Sequence, residues 1–173
     1  AGSLEASPTL VDLDGDGAFE VVVADSGGAI HAFNGAGSDL PGWPVHTPLV
    51  PAVDPADPRN HLASPVVAGL DTPLRENVIG SPAAGDLDGD GSPEVVVATL
   101  GGSVHAWGAD GVELPGFPTW FDWDACDPED RGELHRTDCG FFAAPTLADL
   151  DGDGALDILV PGMDMQLYAW NAL

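Results

Sequence analysis

Apolar positions along this chain fall in short runs broken by glycine, proline and aspartate. Val21-Val22-Val23-Ala24 is one unbroken run, and Val95-Val96-Val97-Ala98 repeats it. Runs this short and rich in β-branched residues predict inner β-strands covered on both faces, not helices. Downstream, Ile30 and Ala32 alternate with His31 and Phe33, so each pair takes one face of a strand. Asn34-Gly35 and Asp110-Gly111 are turn dipeptides.

The pattern recurs three times. Ser7-Pro8 leads through Asp12-Leu13-Asp14-Gly15-Asp16-Gly17 to Glu20 and Val23-Ala24. Ser81-Pro82 leads through Asp86-Leu87-Asp88-Gly89-Asp90-Gly91 to Glu94 and Val97-Ala98, and Ala144-Pro145 leads through Asp149-Leu150-Asp151-Gly152-Asp153-Gly154 to Asp157 and Val160. The leading aspartates are 74 and 63 residues apart. The likeness continues: Gly27-Gly28-Ala29-Ile30-His31-Ala32-Phe33 matches Gly101-Gly102-Ser103-Val104-His105-Ala106-Trp107, and Met165 to Trp170 matches both. Leu40-Pro41-Gly42-Trp43-Pro44 matches Leu114-Pro115-Gly116-Phe117-Pro118.

Each unit thus reads as strand, acidic turn, strand, Gly turn, strand, Gly turn, short strand. Four short antiparallel strands per repeat predict an all-β chain built of β-propeller blades. The expected division is blade 1 at about 5–46, an insertion at 47–78, blade 2 at about 79–119, a cysteine-bearing loop at 120–140 and blade 3 at about 141–173. Inside the insertion, 63–71 echoes the opening strand without the acidic turn. Closed propellers have about four to eight blades. Three blades, the last ending at Leu173 after its third strand, point to a fragment, an assembly of several copies, or a domain completed by another chain. The start at Ala1-Gly2-Ser3, without an initiator methionine, fits a processed protein or an excised piece.

The acidic turn carries the chemistry. Asp12, Asp14, Asp16 and Glu20 stand at positions 1, 3, 5 and 9, and so do Asp86, Asp88, Asp90 and Glu94, then Asp149, Asp151, Asp153 and Asp157. Carboxylates this dense repel unless a cation lies among them. A tight loop turns these side chains toward one centre, and the carbonyl of position 7, on Ala18, Ser92 or Ala155, can complete the set. Gly17, Gly91 and Gly154 supply the sharp turn. An all-oxygen donor set suits Ca²⁺, about three ions per chain, and offers no His or Cys for zinc. An EF-hand needs a bidentate Glu at position 12, where this chain has Val23, Val97 and Val160.

These segments resemble the calcium-binding repeats of the FG-GAP or VCBS type found in integrin α-subunit propellers and bacterial surface proteins. The likeness rests on the Asp-x-Asp-Gly-Asp-Gly-x-x-Glu/Asp turns, the preceding Ser/Ala-Pro and the following Gly-Gly and Pro-Gly-Trp/Phe-Pro segments. It covers about two thirds of the chain. The resemblance implies a propeller, one calcium in the loop between the first two strands of each blade, and extracellular or cell-surface residence. It implies no single activity, because such propellers serve as adhesion modules and as appendages of enzymes.

Charge narrows the partners. Four arginines and no lysine stand against 29 acidic residues, a formal net charge of −25. Nucleic acid is excluded as a partner, since phosphates need a basic footprint, and so is docking on an anionic membrane. No apolar run is long enough to insert in a bilayer. The 44% apolar content excludes a disordered chain, and 23 glycines with 16 prolines disfavour long helices.

Cys126 and Cys139, in a polar segment, read as a disulfide in an oxidising compartment; two free thiols are the alternative. His31, His105 and Tyr168 occupy one repeat position and are expected to hydrogen-bond or pack within blades. Phe33, Trp107 and Trp170 are expected between blades, with Trp43 and Phe117 on the fourth strands. Trp120 and Trp123, outside the repeat, are the candidates for a ligand platform such as a glycan site. The acidic stretch from Asp122 to Asp130 reads as a solvated loop tip, with a partner or cation site as the alternative. No Gly-x-Ser-x-Gly elbow, His-Glu-x-x-His pair or phosphate loop occurs, so no enzyme is expected. The reading is a secreted calcium-binding repeat protein with a structural, adhesion or assembly role, such as a surface appendage or filament subunit, partnered by other protein chains or copies of itself. The alternatives are a glycan- or protein-binding module and a non-catalytic domain of a larger secreted enzyme.

Overall fold

The computed structural model describes residues 3–49, 75–121 and 140–171. Most of the 47–78 insertion, Cys126, Cys139, Trp123 and the Asp122–Asp130 stretch lie outside the described residues. Among the described residues the chain forms eleven strands: β1 Thr9–Val11, β2 Glu20–Ala24, β3 Ala29–Phe33, β4 Val45–His46, β5 Ala83–Gly85, β6 Glu94–Ala98, β7 Ser103–Trp107, β8 Thr119–Trp120, β9 Thr146–Ala148, β10 Asp157–Pro161 and β11 Leu167–Trp170. No helix among them is long and apolar enough to cross a membrane.

The strands make three antiparallel sheets, ordered β1-β2-β3-β4, β5-β6-β7-β8 and β9-β10-β11. Register repeats from sheet to sheet: Val22 pairs Ala32, Val96 pairs Ala106 and Leu159 pairs Ala169. A backbone hydrogen bond at equivalent points opens each unit, from Ser26 to Ser3, from Leu100 to Asn77 and from Met163 to Gly140. The fourth strand corrects the sequence reading. Trp43 and Phe117 precede it, each in a turn with a cis peptide to the next proline, and the paired residues are Val45–His46 and Thr119–Trp120. Trp120 therefore belongs to the repeat, as the counterpart of His46.

The core lies between the sheets, not within a single one. Leu13, Val22, Ala24, Ile30 and Ala32 of the first sheet meet Val95, Val97 and Trp107 of the second. On the other side of the second sheet, Leu87, Val96, Ala98, Val104 and Ala106 meet Ile158 and Val160 of the third. The middle sheet is covered on both faces, so every residue of β6 and β7 is buried. Strand β2, covered on one face, alternates buried and half-buried. Identical Val-Val-Val-Ala runs thus have different burial because their neighbours differ.

The turns lock the sheets together. Trp43 Nε1 donates to the Ala109 carbonyl at 2.9 Å. A Cβ on Gly42, whose φ is +91°, would lie 1.9 Å from the Asp110 carbonyl oxygen, so only glycine fits this approach. The first strands also touch, through Thr9 Oγ1 donating to the Pro82 carbonyl at 2.5 Å and the Ser7 N–H to Ser81 Oγ at 3.0 Å.

Candidate metal centre

Each acidic turn connects the first two strands of its sheet, and its backbone is wound on its own carboxylates. Position 1 accepts the N–H of position 6: Gly17 to Asp12 Oδ2 at 3.0 Å, Gly91 to Asp86 Oδ2 at 3.0 Å, Gly154 to Asp149 Oδ2 at 3.1 Å. Position 3 accepts the N–H of position 5, and position 5 accepts the N–H of position 7 on Ala18, Ser92 and Ala155. Position 9 reaches back to position 2: the Leu13, Leu87 and Leu150 amides donate to Glu20, Glu94 and Asp157 at 2.9, 2.7 and 2.8 Å. Gly15 and Gly17 have φ of +74° and +90°, and the same holds at Gly89 and Gly91, Gly152 and Gly154. Two left-handed residues per turn, where the sequence reading used one, curl the chain around a single point.

The turns converge carboxylate oxygens. Asp12, Asp14 and Glu20 each offer an atom within 4.8 Å of the others, and so do Asp86, Asp88 and Asp90, and Asp149, Asp151 and Asp157. Asp16, Glu94 and Asp153 fall outside these tight groups but belong to the same turns. Glu20, Glu94 and Asp157 are buried at the base of the turn. Burial pushes the Glu94 carboxyl above its ordinary range; the Leu87 amide opposes this, and Asp88, Asp90 and Asp86 push it further up by repulsion.

The donor chemistry fits a hard divalent cation. Every converging atom is a carboxylate oxygen, the set such cations prefer. Asp12 Oδ1 is buried with no hydrogen-bond partner. A charged oxygen left without a partner away from water costs several kcal/mol, and a cation seated among Asp12, Asp14 and Glu20 would satisfy it.

The aromatic–histidine position behaves as expected within the sheets. His31 Nδ1 lies 2.9 Å from Asp39 and stacks on Phe33, and His105 Nδ1 lies 2.6 Å from Glu113 and stacks on Trp107. The Tyr168 hydroxyl donates to Asp164 at 2.7 Å and its ring stacks on Trp170. Trp107 lies between the first two sheets and Trp170 packs against the second core. Sequence reasoning missed the continuation in the middle sheet, where Ser103 Oγ lies 2.9 Å from His105 Nε2 and donates to Glu76 Oε2 at 2.5 Å. Thr99 Oγ1 also donates to Glu76, at 2.6 Å. Ser103, His105 and Glu113 have the connectivity of a nucleophile, base and orienting acid. Ser103 is fully buried and spends its proton on Glu76, so no substrate carbonyl reaches it. The only sequence signal was the polar pair Ser103 and His105 inside a buried strand.

No family profile and no curated protein matches the chain. Among solved structures it is similar to the one described as "Crystal structure of BBS1N in complex with ARL6DN, soaked with lead", with 14% identity and a TM-score of 0.49. The match covers 96% of this chain and 34% of that one, so the chain spans about a third of that protein's length.

Proposed function

We propose that this chain is an extracellular, calcium-binding segment of a β-propeller with a structural role in an adhesion or surface assembly. Its three sheets are the blades, and the acidic turns at Asp12–Glu20, Asp86–Glu94 and Asp149–Asp157 each take one Ca²⁺. The observation that carries this reading is the orphaned, buried Asp12 Oδ1 in a turn geometry repeated three times. The resemblance to FG-GAP and VCBS repeats supports it. In the filled turn, Asp12, Asp14 and Glu20 would hold the ion while the Leu13 amide holds Glu20 in place, and the carbonyl of Ala18 would complete the set. The same roles fall to Ser92 and Ala155. The ion supplies positive charge to a cluster that otherwise repels itself.

Extracellular modules bind at roughly 10⁻⁴–10⁻³ M. At millimolar calcium each site then contributes about 0.4–1.4 kcal/mol, and the three add. Three ions move the net charge from −25 to about −19. Calorimetric titration of the chelator-treated chain, with thermal melting in calcium and in chelator, tests the reading. Three sites and a higher melting temperature in calcium support it; unchanged melting and no binding heat refute it.

A second reading, a glycan-binding module, draws on Trp120, whose ring is exposed on the two-residue edge strand β8. Binding on a glycan array that Trp120→Ala abolishes would establish it.

A further inference from the structure

The two inter-sheet cores are built alike: the rear face of one sheet meets the front face of the next. Rear-face residues that are buried in the first two sheets are bare in the third. Leu13 and Leu87 are 1% and 0% exposed, whereas their counterpart Leu150 is 56% exposed. Ile30 and Val104 are 0% exposed, whereas Leu167 is 65% exposed. The front face of the first sheet is bare in the same way. Leu4 is exposed although its counterparts Val78 and Phe141 are buried, and Phe19 is exposed although its counterpart Leu156 packs against the second core. Phe19 and Leu167 thus belong to opposite halves of one interface, each without its mate.

We propose that the front face of the first sheet of a second copy of this chain seats on the rear face of the third sheet. The occupant is specified by continuity with the two interfaces already inside the chain. Val21, Val23 and Phe33 repeat the Val95, Val97 and Trp107 set that covers a rear face. The contact is head-to-tail, so it must either close or propagate. Two copies supply six sheets, within the range of about four to eight that closes a propeller, whereas one copy supplies three and three copies nine. The product is a two-fold ring carrying the contact twice. This rests on the propeller reading above, though not on the identity of the ion. The charge of −25 on each copy opposes association and is screened by salt, so the ring tightens as ionic strength or bound divalent charge rises.

Sedimentation of the full chain in calcium-containing buffer tests this. The expected particle has twice the chain mass of 17.7 kDa. Leu167→Glu and Phe19→Glu, both at exposed positions, each return it to the single-chain mass while the calcium-induced rise in melting temperature persists. Val112→Glu, at an exposed position on a turn of the middle sheet, leaves the doubled mass unchanged. A single-chain particle at all concentrations, a particle larger than two copies, or a doubled mass indifferent to both face variants overturns the proposal. A single-chain particle that still binds three calcium ions overturns the ring alone, and a ring that binds none overturns the calcium reading alone.

Discussion

Glu20 Oε2 accepts the Leu13 backbone N–H at 2.9 Å, tying the first residue of a strand to the second position of the turn before it. Leu13 itself is buried in the core between the first two sheets. One carboxylate therefore joins the acidic turn to the apolar packing, and a change at the turn is felt in the core.

Replacing Glu20 separates its two roles. Glu20→Ala strands a buried N–H and is expected to destabilise by about 1–3 kcal/mol even in chelator. Glu20→Gln keeps an acceptor for the Leu13 amide, so it should cost less in chelator while losing most of the calcium-dependent gain. Denaturant unfolding with and without calcium measures both.

Asp12→Asn removes a charge from the turn with the orphaned oxygen. Calorimetry is expected to count two calcium ions in place of three, with the turns at Asp86 and Asp149 unaffected. The apo protein is expected to become more stable, by about 1 kcal/mol or more, because a buried unpaired charge is gone.

Gly42 and Gly35 form a matched pair. Gly42→Ala forces a side chain at φ +91° into the Asp110 carbonyl, at a cost of about 1–2 kcal/mol for the backbone alone, with the displaced second sheet adding to it. Gly35→Ala, in open space without positive φ, is expected to lie within about 0.5 kcal/mol of the parent. Equilibrium unfolding distinguishes them.

His46 is expected to titrate below its ordinary value of 6.5. Burial is the main cause, followed by the Arg75 guanidinium and His31, with Asp25 opposing. A lowered folded-state value means the unfolded chain binds the proton more readily. The contribution of His46 to stability is then complete above the ordinary value and is lost as pH falls through the interval down to the folded one. NMR titration of the ring measures this, and Arg75→Gln is expected to raise the value.

The strands and acidic turns were legible because they depend on local chemistry. β-branched runs, paired glycines and alternating aspartates act within a few residues. The Leu13–Glu20 type of link was hidden, because position 9 reads as a metal ligand and its second oxygen serves the backbone. The fourth strand was misplaced by two residues: Pro-Gly-Trp-Pro reads as a repeat landmark, but the proline lacks the N–H a paired strand needs, so pairing starts beyond it. The Glu76–Ser103–His105–Glu113 chain was illegible, since Glu76 comes from a segment preceding the repeat unit and arrives only through packing.

The backbone link that opens each unit, from Ser26 to Ser3, Leu100 to Asn77 and Met163 to Gly140, has a consequence for change over evolution and in the laboratory. It re-zeros the chain after each connector, so the units tolerate spacings of 74 and 63 residues without altering the sheets that follow. Connectors of foreign sequence and length can therefore be exchanged at these joints, leaving the scaffold to carry cargo it was not shaped for.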